Sequence, residues 1–520
     1  MQRKYLLLLL LGCLLCVFIA AGCGGEDDND AAADRQDTSG QQQLIVAIST
    51  DVSNWDLDKF PEGDSRFPWS QIYETLVRLD TDLKEQPGLA VSWEPSEGGK
   101  VWTFHLRKGV KFSDGSPLNA EAVVYSYSSR ADVVKRKMLP VQSIEPVDEY
   151  TVKFTCSQPT PLPSYFTHVA WPVMSLMSLD DGGAFKGPIG TGPYKLDKHL
   201  TDQEIVMVRN EHYWGEPGTL DKIIFKVIPD ASARSMALQS GQVDMALKIN
   251  EFDIENLESQ AGINIYKKPS TFTDFLQFNT EKSPFDDVNV RRAVSYTVDS
   301  EKIVQQMLAG IGVPAKGRPI SPVMQFSKSD LKIEPDIQRA RDLLAAAGWK
   351  DTDGDGILEN GGQPLQVSML LAPWSPRQKI EAEAIQGQLK EVGIDLKLTV
   401  METGALTAAE KAGEFDILLR SGYYTWGSYP HHFKIHTTNH MYGHWDNSEY
   451  DRLVAQAEAA LGENEKKELY KKLQQIIIDQ LPALYTIHEE KVVATRDWVK
   501  NYQITSEDPW LNLAGVKVEK

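Results

Sequence analysis

Segments typical of strands and of helices alternate along this chain of 520 residues, and no internal repeat accompanies them. The first is the apolar stretch "LIVAIS", Leu44 to Ser49, which predicts a buried strand. A later one, "IQRARDLLAAAGWK", has apolar residues at helical spacing and should end at Gly348. Such alternation predicts an α/β protein, and a body of about 480 residues should divide into more than one lobe.

A strand, a tight turn and a helix follow one another in "KVWTFHLRKGVKFSDGSPLNAEAVVYSYSSR". Val101 to Leu106 alternates apolar and polar residues as a half-buried strand does. "SDGSP" has the composition of a turn, because Asp-Gly supplies the left-handed backbone that tight turns need. The side chain of Asn119 can then cap a helix that begins at Ala120.

Residues 1–22 have the pattern of a secretory signal peptide. Arg3 and Lys4 precede the apolar run Tyr5 to Phe18, and small residues follow before Cys23. This end resembles a bacterial lipobox, so we expect lipidation at Cys23 and attachment to the membrane by that lipid alone. An ordinary cleaved signal and an uncleaved anchor are the alternatives.

The segment 23–43 is acidic and lacks large apolar side chains, so it predicts a flexible tether. The formal net charge of the chain is −19, which excludes nucleic acid as the expected partner. Beyond Cys23 the chain has one cysteine, Cys156, in the apparent strand "YTVKFTCS". We therefore expect a buried, inert thiol and an exported protein that does not depend on disulfides.

Several motifs together carry a family resemblance: "WTFHLRKGVKFSDGSPLNAEAV", "GTGPYKL", "NEHYW", "GQVD", "PFDDVNVRRAVSYTVD", "LLAAAGWKDTDGDGILE" and "AIQGQLKEVGIDL". In this order they resemble successive blocks of the family 5 extracellular solute-binding proteins of bacteria, from about Leu44 to the C-terminus. The departures are small: Asn119 stands where the family often has Thr, and Ala122 where it often has Asp.

The resemblance implies a two-lobed periplasmic-binding-protein-like α/β fold of class II, cluster C, with an extra small domain inserted in lobe one. Two crossing segments should join the lobes, which close on a ligand. The implied domains are lobe one (44–81 plus 189–270 plus 488–520), the inserted domain (82–188) and lobe two (271–487).

The implied function is capture of a small solute, a dipeptide, oligopeptide or peptide-like molecule, and its delivery to the permease and ATPase subunits of an ABC importer. We expect a monomer on the outer face of the cell membrane, without a required cofactor. No motif of a catalytic nucleophile or phosphate-binding loop is complete, and no pair of carboxylates can be placed together from the sequence. A metal-dependent surface enzyme is therefore only the alternative from another class.

The segment "YPHHFKIHTTNHMYGHW" contains five of the ten histidines of the chain. Its Thr, Asn and Gly residues form helices poorly, so we predict a loop that approaches the cleft. Imidazoles in such a loop can bind Ni(II) or Cu(II). The alternative function is therefore transport of nickel or another metal chelate through the loop His431–His444, with His440 and His444 as candidate metal ligands.

Peptide-binding members of the family hold the ligand ammonium with an Asp shortly after a "WG" pair. Here the pair is Trp426-Gly427, and no Asp or Glu lies between Ile417 and Phe433. The sequence thus leaves peptide and metal chelate both open. The ligand-binding candidates in the loop after the first strand and around the "WG" pair are Asn54, Trp55, Tyr423, Trp426, Tyr429, His431 and His432.

The stretch "DTDGDGILENGG" places Asp351, Asp353 and Asp355 at positions 1, 3 and 5 of an EF-hand-like loop. Position 12 is Gly362, where calcium requires a bidentate Glu. We therefore expect a polar connection between helix and strand, with calcium as the alternative.

Overall fold

A computed structural model of the chain describes residues 42–57, 63–129, 139–372, 376–420, 430–438, 444–507 and 510–520. The strands are β1 (Gln43–Ile48), β2 (Glu74–Thr75), β3 (Val77–Leu79), β4 (Glu85–Pro87), β5 (Ala90–Ser96), β6 (Val101–Leu106), β7 (Val141–Asp148), β8 (Thr151–Cys156), β9 (Pro172–Val173), β10 (Tyr194–Leu200), β11 (Glu204–Arg209), β12 (Lys222–Val227), β13 (Met245–Leu247), β14 (Ile263–Phe278), β15 (Val313–Pro314), β16 (Glu359–Asn360), β17 (Gln363–Pro364), β18 (Gln366–Leu371), β19 (Asp395–Val400), β20 (Ile417–Arg420), β21 (Ala483–Arg496), β22 (Val499–Lys500) and β23 (Lys517–Val518).

The helices are α1 (Arg66–Ile72), α2 (Ala120–Ser129), α3 (Leu162–Tyr165), α4 (Ala231–Gln239), α5 (Ile254–Glu258), α6 (Val288–Thr297), α7 (Ser300–Lys302), α8 (Ile337–Ala346), α9 (Pro376–Lys390), α10 (Thr403–Ala412), α11 (Ser448–Ala459) and α12 (Glu463–Gln480). Short 3₁₀ helices lie at Gly63–Ser65, Glu97–Gly99, Leu176–Ser178, Glu251–Asp253 and His431–His436, and a π-helical turn at Ile303–Met307. Among these helices none has the length and apolar character needed to cross a membrane.

Local sequence signals set several of these boundaries. The side chain of Asn119 accepts a hydrogen bond from the backbone N–H of Ala122 at 3.0 Å and so caps α2, as predicted. The Oδ1 atom of Asp336 caps α8 by accepting from the N–H of Arg339 at 2.9 Å. Gly348, just beyond α8, has φ of +90°, a conformation that glycine adopts at little cost where a helix ends.

Two long antiparallel strands organise the main sheet. β14 and β21 pair along most of their lengths, with Lys268 opposite Lys491 near the middle. The sheet runs in the order β10-β11-β12-β1-β13-β21-β14-β20-β18-β19. One group of strands joins the pair through β13 on β21, and the other through β20 on β14. The pair thus connects two halves of the sheet, which confirms the predicted two-lobed α/β fold.

Each half has its own apolar core. Leu44, Val46 and Ile48 on β1 are fully buried in the first half, where β1 pairs in parallel with β12 and β13. A strand that is covered on both faces has a continuous run of apolar residues, which explains the apolar composition of "LIVAIS" in β1. In the second half Val367 and Met369 on β18 pack in a separate core.

A third core belongs to the small antiparallel sheet β5-β6-β8-β7. It joins Phe104 and Phe154 of that sheet to Tyr470 and Leu473 of α12. The small sheet therefore shares an apolar core with α12, the helix that directly precedes β21 in the chain. Residues 42–520 form one compact unit, so the domain boundaries stated above stay a prediction.

Candidate functional site

The carboxyl ends of parallel strands in the first half carry the polar segments Ser49–Leu57, after β1, and Lys248–Glu251, after β13. The guanidinium of Arg234 links the carboxyl ends of β12 and β13. It donates to the backbone carbonyl of Ile228, just beyond β12, and to that of Leu247, the last residue of β13. Ligands of open α/β sheets bind outside the carboxyl ends of the strands.

The second half has an equivalent edge. β18 pairs in parallel with β19 and β20, and β18 leads towards the N-terminus of α9. Arg420, the last residue of β20, pairs with Phe275 of β14. Asp274, which precedes Phe275 in β14, therefore lies at the same edge of the sheet. The positively polarised end of α9 thus starts beside the crossing strands.

Arg377 brings the two edges together. Its Nη1 donates to Asp274 of β14, and its Nη2 donates to Oε1 of Glu489 of β21 at 2.7 Å. Its Nε lies 4.0 Å from Oε1 of Glu251, which follows β13 in the first half. These residues lie together where the two halves of the sheet join, the region in which we expect the cleft.

Charge in this cleft is predominantly negative. Arg377 is 7% exposed and faces the three carboxyl groups just described. Burial alone would lower the pKa of Arg377, but the carboxylates of Asp274 and Glu489 raise it well above its ordinary value. Burial raises the pKa of Glu251, and the distant guanidinium offsets only part of that effect. Among these four residues three carboxyl groups therefore face one guanidinium.

Asn54 and Trp55 line a cavity of about 790 Å³ in the first half. The indole of Trp55 is 7% exposed, and its Nε1 donates to Nδ1 of His199 at 3.2 Å. The backbone carbonyl of Asn54 accepts from Nε1 of Trp69 at 3.1 Å. Both residues thus lie at the carboxyl edge as the sequence implied, while contact with a ligand remains a prediction.

Asp51 and His199 form a pair in the same cavity that sequence reasoning missed. Because Nδ1 of His199 accepts from Trp55, its Nε2 carries the proton and donates to Oδ1 of Asp51 at 2.9 Å. Asp51 also accepts from the backbone N–H of Asp202 at 2.8 Å. The two residues are far apart in the chain, and no spacing signal links them.

The histidine segment contains a 3₁₀ helix, His431–His436, where we predicted a loop. His436 is buried, and its Nε2 lies 2.8 Å from the hydroxyl of Tyr485, which explains the local order. The side chains of His431 and His432 are outside the described part of the structure. So are the predicted site residues Cys23, Tyr423, Trp426, Tyr429 and His440.

His444 uses both ring nitrogens within the fold. Its Nε2 donates to the backbone carbonyl of Glu410 at 2.7 Å, and its Nδ1 lies 3.2 Å from Oε2 of Glu281. The ring also packs edge-on against Phe415. A metal ligand needs a nitrogen lone pair, and Nε2 has none to give while it donates. The predicted role of His444 as a metal ligand is untested, and these two contacts argue against it.

The acidic loop brings a fourth carboxylate beside the three that the sequence indicates. Ligand atoms of Asp351, Asp353, Asp355 and Glu359 all lie within 4.8 Å of one another. Oδ1 of Asp351 accepts from the N–H of Gly354 at 2.7 Å, so backbone amides already satisfy part of the charge. Glu359 stands at position 9 rather than 12 of the loop, and calcium binding stays a prediction.

Cys156 is 2% exposed at the end of β8, as predicted. Burial raises the pKa of its thiol to about 11, so the group is neutral at physiological pH.

Two halves of one sheet, joined by two long strands and bridged by the charged contacts of Arg377, are typical of a two-lobed binding protein. The profile of the family described as "Bacterial extracellular solute-binding proteins, family 5 Middle" matches residues 84–441. The chain belongs to this family, which confirms the resemblance that the motifs carry.

Relatives support the same assignment. The chain is 29% identical over 475 residues to a dipeptide-binding protein of Escherichia coli K12, with 83% of this chain and 86% of the relative covered. It is 29% identical over 482 residues to a nickel-binding periplasmic protein of the same organism, with 87% and 90% covered.

A solved structure is similar across nearly the whole body. The crystal structure of NikA from Brucella suis in complex with Fe(III)-EDTA aligns with a TM-score of 0.85 at 25% identity, covering 92% of this chain and 99% of that one. The protein is a substrate-binding protein of the ABC-importer type, and its relatives are binding proteins of transporters.

Proposed function

We propose that the protein captures a dipeptide, oligopeptide or peptide-like solute with a cationic group between its two lobes and delivers it to an ABC permease. It acts by binding and without turnover, as a monomer anchored to the outer face of the membrane by a lipid on Cys23. Closure on the solute changes the balance of open and closed forms, which a permease can recognise.

One observation carries the choice of ligand: the excess of carboxylates around Arg377. Asp274 and Glu489 share the two terminal nitrogens of the guanidinium, while Glu251 lies 4.0 Å from Nε. Of the three carboxylates Glu251 has the longest contact with the guanidinium, so we propose that Glu251 binds the ligand ammonium.

This geometry answers the main sequence argument against a peptide. No acidic residue lies between Ile417 and Phe433, where peptide-binding relatives have their Asp. We propose that Glu251, which follows β13, supplies this charge from another element. A dipeptide-binding relative at 29% identity is consistent with this assignment.

Native mass spectrometry of untagged protein tests the ligand class, because tight binders often retain their ligand through purification. We expect mass increments that match short peptides. Calorimetry with the identified peptides should then show that Glu251→Gln weakens binding by at least about tenfold, about 1.4 kcal/mol.

Glu255→Gln is the matched control, since Glu255 is an exposed acid on the neighbouring helix α5. Equal affinities for the two variants would contradict the role of Glu251. A bound species without any cationic group would contradict the proposed ligand class.

A metal chelate is the second candidate ligand. The similarity to the Fe(III)-EDTA complex at a TM-score of 0.85 and the nickel-binding relative support it. Nickel with a small chelator in the native mass spectrum would favour this function over peptide transport. In that case the chelate is cargo and not a resident cofactor.

A further inference from the structure

Two fully buried carboxyl groups, Asp274 of β14 and Glu381 of α9, lie side by side near the cleft. Each has one oxygen without a hydrogen-bond partner among the described residues: Oδ1 of Asp274 and Oε2 of Glu381. Such orphan acceptors are rare in folded proteins and call for an explanation.

The other oxygen of each group is well satisfied. Oδ2 of Asp274 accepts from Nη1 of Arg377, and Oε1 of Glu381 accepts from Oγ1 of Thr486 at 2.5 Å. Thr486 belongs to β21, so the pair lies where both crossing strands meet α9. Two adjacent carboxylates cannot both ionise in a buried site, whereas one proton between the orphan oxygens satisfies both.

We propose that Asp274 and Glu381 share one proton, and that this proton allows Asp274 to hold Arg377 against Glu489 and Glu251 at the joint between the lobes. Glu381 is the donor and Asp274 the acceptor. The inference goes beyond the proposed function, since it holds for any ligand.

The charged and titratable groups near Asp274 and Glu381 come from β21, from α9 and from the segment after β13. β21 contributes Glu489, on Arg377, and His488, whose Nδ1 lies 2.9 Å from the hydroxyl of Thr273. The segment after β13 contributes Glu251. Burial raises the pKa of Glu381 well above its ordinary value, the negative charge of Asp274 adds to this effect, and Arg377 opposes it.

Loss of the proton has a specific consequence for the joint. An ionised Glu381 would place a second negative charge beside Asp274 and attract the guanidinium of Arg377 inward. Arg377 would then lose contact with Glu489 and with Glu251, which belongs to the other half of the sheet. The shared proton thus makes the connection between the lobes sensitive to a rise in pH.

Thermal and urea unfolding from about pH 5 to about pH 9 test the shared proton. The folded protein retains a proton that the unfolded chain releases above the ordinary pKa of Glu. The folding equilibrium constant of the wild type should therefore fall as the pH rises, by up to about tenfold per pH unit. In Glu381→Gln the amide can donate to Asp274 and accept from Thr486 without a titrating proton. This variant should lose that part of the slope.

Glu383→Gln is the control, because Glu383 is exposed on the same helix. It should keep the wild-type slope. Infrared difference spectra at about pH 8 provide a direct readout: the wild type and the control should show a C=O band of a protonated carboxylic acid that is missing from Glu381→Gln, beside the weak band of Glu74, whose pKa is about 7.

A wild-type slope or an unchanged acid band in Glu381→Gln would overturn the proposal. If that variant does not fold, Asp274→Asn serves instead, since its amide can donate to an ionised Glu381. The acid band should again disappear, and its persistence in Asp274→Asn would likewise overturn the shared proton.

Discussion

Arg377 and Glu251 bridge the two halves of the fold, with Nε of Arg377 and Oε1 of Glu251 separated by 4.0 Å. Arg377 lies in the first turn of α9 in the second half of the fold, whereas Glu251 follows β13 of the first. The same guanidinium binds both crossing strands through Asp274 and Glu489. One side chain therefore connects four segments of the fold, and several measurable consequences follow from its position.

Arg377→Met should destabilise the protein strongly. The substitution leaves the buried carboxyl group of Asp274 without its cation, and breaking a buried ion pair in this way typically costs about 3–5 kcal/mol. Urea denaturation at neutral pH measures the change. Lys379→Met is the control on the same turn, because its pair with Glu383 is exposed and should contribute only about 0–1 kcal/mol. Similar losses for both variants would contradict the buried role of Arg377.

Glu74 should make stability depend on acid pH. Burial raises the pKa of its carboxyl to about 7, although Nε1 of Trp214 donates to it at 2.6 Å. Since the folded pKa exceeds the unfolded one, the stabilising contribution is complete below about pH 4.5 and is lost as the pH rises through about 7.

Glu74→Gln should remove this contribution, and Glu94→Gln, at an exposed position of β5, should not. Melting temperatures of the wild type and of both variants, measured between about pH 4 and about pH 8, test this expectation. Parallel pH profiles for the wild type and Glu74→Gln would refute a raised pKa at Glu74.

Cys156 should resist thiol reagents in the folded protein. The thiol is 2% exposed and its pKa is raised to about 11, so both access and thiolate fraction are low. Labelling by iodoacetamide, located by peptide mass spectrometry, should be slow under native conditions and fast in urea. Rapid native labelling of Cys156 would show that β8 opens locally.

His440 and His444 should respond differently if the ligand is a metal chelate. Because Nε2 of His444 donates to the carbonyl of Glu410 and Nδ1 faces Glu281, we expect His444→Ala to cost about 1 kcal/mol of stability. It should leave the affinity for Ni(II)-EDTA unchanged. His440→Ala should weaken that affinity at least about tenfold, about 1.4 kcal/mol. Calorimetry with the chelate compares the two, and a tenfold loss in His444→Ala alone would reverse this expectation.

Local signals in the sequence predicted several elements of the fold. Asn119 caps α2, Gly348 follows the end of α8, and Leu44 to Ile48 lies in a buried strand, because each depends on a few neighbouring residues. The family was likewise recognisable, since its motifs are contiguous stretches. The histidine segment was predicted less well: Tyr485, on β21, contacts His436 within the 3₁₀ helix and lies outside any local window.

The chemistry of the cleft was decided by tertiary structure alone. From the sequence no pair of carboxylates could be placed together, yet β14, α9 and β21 bring Asp274 beside Glu381. Glu251 and Glu489 reach Arg377 from separate elements in the same way. Sequence patterns with periods of two or 3.6 residues specify which face of an element is buried, but not which distant element covers it. The charge balance of a buried site depends on that second choice, because only packing determines which ionisable groups share one environment of low dielectric constant.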